Sequence, residues 1–63
     1  MTITLRAARI NAGLDQREAA EKLGINVSTL RNYETGKTVP NWNTVDKIRE
    51  LYRVPLDFLR FGE

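Results

Sequence analysis

The chain has no cysteine and no histidine. Without cysteine there is neither a disulfide framework nor a thiolate metal site. Without histidine, the commonest general base and the commonest metal ligand are missing together. The remaining carboxylates fall in helical charge patterns, so no enzyme active site, no cofactor and no metal centre is expected. No apolar run approaches the roughly 18 residues of a membrane span. The N-terminal stretch MTITLRAARI lacks the charged leader and apolar core of a signal peptide. The expectation is a soluble, cytoplasmic protein with no membrane partner and no evident small-molecule ligand. Charge of one sign is also scarce: ten Lys and Arg against eight Asp and Glu give a net +2 and a pI near 9.4. That balance suits a nucleic acid without requiring one, and no basic run is dense enough for strong sequence-independent affinity.

What is present is helical periodicity. The 63 residues allow one domain, expected over 1–63, with a small core, since a chain this short buries only about 60% of its unfolded surface. Five helical segments are read, with no repeat and no convincing strand alternation. The first, about Thr4 to Ala12, carries Leu5, Ala8, Arg9 and Ala12 on one face and stops at Gly13. Asp15 caps the second, with Glu18 completing a capping box; its inner positions are Ala19, Ala20 and Leu23. Gly24 closes it, and Ile25 returns to the core. Asn26 caps the third helix, whose buried side is Leu30, Tyr33 and Glu34, and Gly36 ends it. After Pro40, Asn41 caps a fourth helix with Val45, Ile48, Leu51 and Tyr52 inward. Val54-Pro55 breaks that helix, and a last short helix puts Leu56 and Leu59 inward, with Phe58 and Phe61 open between core and surface. Tyr33 and Trp42 are expected as core aromatics, Trp42 half in and half out. The fold class expected is all-α.

The stretch Gln16 to Gly36, QREAAEKLGINVSTLRNYETG, joins the second and third helices across a short glycine-containing turn. That is the helix-turn-helix unit, which sets its second helix in the DNA major groove. On the third helix, spacing i, i+1, i+4, i+5 gathers Val27, Ser28, Arg31 and Asn32 on one face, opposite Leu30 and Tyr33. Asparagine can pair with adenine through two hydrogen bonds, and an apolar side chain can touch a thymine methyl. Arg31 can reach a guanine or a phosphate, the phosphate being favoured. Gln16 can donate to a phosphate beside the free N–H groups of its helix. Arg17, Thr35, Lys37 and Thr38 are candidate phosphate contacts, which set register and carry no sequence information directly.

These residues resemble the helix-turn-helix domains of phage repressors and Cro proteins, the XRE or lambda-repressor-like family. The likeness covers about Leu5 to Leu59. It rests on Gly13-Leu14, Gln16, Ala20, Leu23-Gly24, Leu30, Tyr33, Glu34, Gly36-Lys37, Pro40 and the segment VPLDFL, in order. Departures occur at Thr35, where the family often has Arg or Asn, and at Val27, where a polar or basic residue is usual. The resemblance implies a compact five-helix domain that represses transcription by docking on a pseudo-palindromic double-stranded operator in a prokaryotic or phage setting, associated with the nucleoid. It assigns base contacts to Val27, Ser28 and Asn32, a phosphate contact and a bracing role to Gln16, and a buried ion pair to Arg9 and Glu34. It implies two-fold dimers on half-sites about 34–36 Å apart, formed through Asn41, Trp42, Pro55, Leu56 and Phe58. Because the chain stops at Glu63, self-association is expected to be weak and helped by DNA. The pattern fits equally a whole small phage or prophage protein and the first domain of a longer repressor. The rival reading is a protein-interaction module, antitoxin-like, on the same fold. It calls for an exposed apolar cluster, for which Ile10, Phe58 and Phe61 are the candidates.

Overall fold

A computed structural model describes residues 2–61; Met1 and residues 62–63, the ends of the expected 1–63 domain, lie outside the described residues. Four α-helices form most of it: α1 (Leu5–Asn11), α2 (Gln16–Leu23), α3 (Val27–Thr35) and α4 (Trp42–Tyr52). Each start is marked chemically. Thr4 sits just before α1, not in it, and its hydroxyl accepts from the Ala7 N–H at 3.1 Å. Asp15 accepts from the Glu18 N–H at 2.7 Å while the Glu18 carboxylate accepts from the Asp15 N–H at 3.2 Å, a complete capping box. Asn41 accepts from the Thr44 N–H at 2.9 Å. Asn26 departs from the expectation: it holds the cap backbone conformation, but its side chain makes no cap hydrogen bond.

The turn between α2 and α3 depends on Gly24, whose φ of 72° lies in the left-handed region. A Cβ there meets nothing within 4 Å, so the need for glycine is backbone strain and not crowding. The same conformation recurs at Arg53, φ 56°, where α4 ends without a glycine.

The expected fifth helix is replaced by a single 3-10 turn, Leu56–Phe58, after which the chain extends. Residues Leu59–Arg60 form a strand, β2, that pairs in parallel with β1, Ile3–Thr4, in the register Ile3↔Leu59 and Thr4↔Arg60. Leu59 therefore reaches the core by way of a strand. Leu56 points outward and is exposed, which corrects its inward assignment. Two residues of ladder are too short for alternation to show in sequence.

The core gathers Leu5 and Ala8 of α1, Ala19, Ala20 and Leu23 of α2, Leu30 of α3, Ile48 and Tyr52 of α4, and Leu59 of β2. Leu5, Leu30 and Ile48 are fully enclosed, each worth about 1.5–3 kcal/mol of hydrophobic burial. The paired alanines let α2 approach both α3 and α4 closely. Tyr33, Leu51 and Ile25 pack against the core without being fully buried.

Candidate nucleic-acid interface

Burying Leu30 and Glu34 settles which side of α3 faces solvent. Val27, Ser28 and Arg31 are exposed and Asn32 is half-buried, so all four stand on the open side. The Asn32 carbonyl is occupied: it accepts from the Lys37 N–H at 2.9 Å, the Thr38 N–H at 3.3 Å and the Thr35 hydroxyl at 3.3 Å. These bonds close the end of α3 and present Thr35, Lys37 and Thr38 in one exposed corner. The Asn32 side chain makes no hydrogen bond among the described residues, which leaves its amide available.

Behind this face lies a buried polar network. Arg9 donates through Nε to Glu34 Oε2 at 2.7 Å and through Nη2 to Oε1 at 3.4 Å. Its Nη1 donates to the Leu14 carbonyl at 2.9 Å. Gln16 Nε2 donates to Glu34 Oε1 at 3.1 Å. One carboxylate thus ties α1, the start of α2 and the end of α3 together. The Gln16 amide has two N–H donors; Glu34 takes one, and the other remains for an external acceptor. Near this network lies the Tyr52 hydroxyl, buried and without a partner among the described residues. Burial first, and the Glu34 charge second, push its pKa up to about 12, against a smaller opposing pull from Arg9.

Beside α3, an open cleft of about 520 Å³ is lined by Arg6, Arg9, Gln16, Arg17 and Arg31, together with Asp15 and Val27. Arg17 and Arg31 belong to the expected contact set. Arg6 does not: it precedes the motif on α1, and nothing in its local spacing points at α3.

A different face carries apolar surface. Trp42, expected half in and half out, is 71% exposed, and Val39 is 73% exposed. With Pro40, Asn41, Leu56 and the half-buried Phe61, they line a cleft of about 350 Å³ between the start of α4 and the C-terminal segment. Phe58 and Ile10 are exposed as well. Sequence reasoning missed Val39, a lone apolar residue in a loop that carries no periodic signal. Pro55 is exposed next to this segment. Among the described residues no helix is long and apolar enough to cross a membrane, and no group of three or more acidic side chains is placed to hold a metal ion.

A family model described as Helix-turn-helix matches residues 5–59. The chain is 46% identical over 55 residues to the HTH-type transcriptional regulator ImmR of Bacillus subtilis (strain 168), covering 87% of this chain and 43% of ImmR. It is 35% identical over 52 residues to the cryptic phage CTXphi transcriptional repressor RstR of Vibrio cholerae, covering 82% of this chain and 47% of RstR. The chain spans less than half the length of these curated relatives. No solved structure matches it.

Proposed function

Since this chain belongs to the helix-turn-helix family, we propose that it binds double-stranded DNA sequence-specifically and regulates transcription, as a repressor. The observation that carries this is the polar, uncovered face of α3 set on a motif that two transcriptional regulators share. In this reading α3 enters the major groove. Asn32 pairs with an adenine edge, Val27 touches a thymine methyl, and Ser28 donates to or accepts from a neighbouring base. Arg31 and Arg17 take phosphates, as do Thr35, Lys37 and Thr38 from the corner after α3. Gln16 spends its second amide proton on a phosphate oxygen while the first holds Glu34, so one side chain links backbone contact to the seating of the reading helix.

One reading helix spans only a few base pairs, which favours a two-fold dimer on half-sites about 34–36 Å apart. The apolar cleft beside Trp42, flanked by Asn41, Pro55, Leu56 and Phe58, is the surface we assign to the second copy. The test is selection of bound duplexes from random double-stranded DNA. Enriched half-sites should be two-fold related and about one helical turn apart. Asn32→Ala should relax specificity at one position, and Gln16→Ala should weaken all sequences about equally. Because Gln16 also bonds Glu34, its melting temperature is measured alongside. Trp42→Glu should reduce the enriched sites to single half-sites. If nothing is enriched and the residual binding merely fades with salt, the specific-reader proposal fails, and the apolar face becomes the place to look for a protein partner.

A further inference from the structure

We propose that Arg6 of α1 is a further backbone-phosphate contact, completing a cationic cleft with Arg17 of α2 and Arg31 of α3 that seats one phosphodiester of the bound duplex. The inference rests on the duplex-binding reading above and extends it to a helix outside the motif.

Charge accounting within the cleft supports it. Of the four arginines that line it, Arg9 is answered by Glu34 at 2.7 Å. Arg6, Arg17 and Arg31 are exposed, and no acidic side chain among the described residues lies within ion-pair distance of them. The one carboxylate in the lining, Asp15, accepts the Glu18 N–H through Oδ1 and keeps its negative charge, which leaves the three unpaired arginines with an excess of two positive charges. Three guanidiniums therefore meet one carboxylate, and the fold itself brings them together from three helices. Their mutual repulsion is relieved by an anion, and the planar guanidinium fork matches phosphate oxygens. The occupant is a backbone phosphate because of what borders the cleft. Val27, the first residue of the base-reading face, lines it, and Gln16 lines it with a spare amide proton. A phosphate seated here lies next to the groove that α3 reads.

The experiment measures dissociation constants on a selected duplex across a salt series for wild type, Arg6→Gln, Arg6→Lys and Lys22→Gln. Lys22 lies apart from this cleft, beside Glu18 and Glu21 on the outer side of α2, and controls for loss of one positive charge anywhere. Arg6→Gln should melt like wild type, weaken every sequence alike, and lower the log–log salt slope by about 0.9, one phosphate's share. Arg6→Lys should recover most of that slope, and Lys22→Gln should keep it. An unchanged slope in Arg6→Gln, or an equal loss in Lys22→Gln, overturns the assignment while leaving the duplex reading intact. A wild type that binds no duplex sinks both. A second arm titrates inorganic phosphate alone against the arginine side-chain NMR signals. Weak millimolar binding agrees with a site built for a polyanion, whereas saturation at micromolar phosphate overturns the duplex source in favour of a free anion.

Discussion

Glu34→Ala tests whether the buried network holds the domain together or serves the DNA. Glu34 and Arg9 are 6% and 7% exposed, so a charge that loses its partner here is left largely out of reach of bulk water. Truncating Glu34 strands Arg9 Nε and Nη2, which lose their acceptors at 2.7 and 3.4 Å, while Nη1 keeps the Leu14 carbonyl. Breaking a buried pair by removing one member typically costs about 3–5 kcal/mol. A domain of this length holds about 3–9 kcal/mol in all, at roughly 0.05–0.15 kcal/mol per residue. Each kcal/mol moves the midpoint of so small a domain by about 4–8 °C, so Tm should drop by at least about 12 °C. Circular dichroism melts measure this without DNA. Duplex binding at low temperature, where folded protein remains, should be affected less. Glu34→Gln keeps an acceptor for Arg9 and should fall between. The double variant Arg9→Met with Glu34→Leu should recover much of the loss, because well-packed apolar replacements of a buried pair are often neutral or better. A Tm within about 4 °C of wild type, below 1 kcal/mol on that scale, combined with abolished binding, would refute the argument and give Glu34 a direct part in recognition.

Two further perturbations address single strained or unpartnered groups. Tyr52→Phe should keep or raise stability at neutral pH, because leaving a buried hydroxyl unpartnered costs about 1–3 kcal/mol. It should also flatten the alkaline limb. The folded Tyr52 pKa is raised to about 12 from 10, so its stabilising share is intact below pH 10 and fades as pH climbs towards 12, by roughly 2–3 kcal/mol. Urea midpoints for both proteins across that window give the difference; equal slopes would refute the reading of a desolvated phenol. Arg53→Gly removes left-handed strain at φ 56°, worth about 1–2 kcal/mol, against a glycine entropy cost of about 0.5–1 kcal/mol. A small rise in Tm, of a few degrees, should appear in the same melts, and a fall would mean the Arg53 side chain contributes more than its backbone costs.

The helices were legible in sequence because their determinants are local. Asp15 with Glu18, Asn41 before Trp42, and the glycines at 24 and 36 mark boundaries within a few residues of where they act. Leu5, Leu30 and Ile48 declare the buried side by spacing alone, and that spacing in turn places Val27, Ser28, Arg31 and Asn32 outward. The features that needed the tertiary structure depend on residues far apart in the chain. Leu59 leaves helical geometry because Ile3, more than fifty positions earlier, offers it a strand partner. Trp42 borders a cleft with Leu56 and Phe61, which are brought to it by a C-terminal segment that makes a 3-10 turn and a strand where a last short helix was expected. Arg6 joins Arg31 only when α1 and α3 are packed around the Arg9–Glu34 pair. Periodicity reports which side of an element is buried; where two elements bring their exposed charges together is set by how they cross, and no local spacing encodes that.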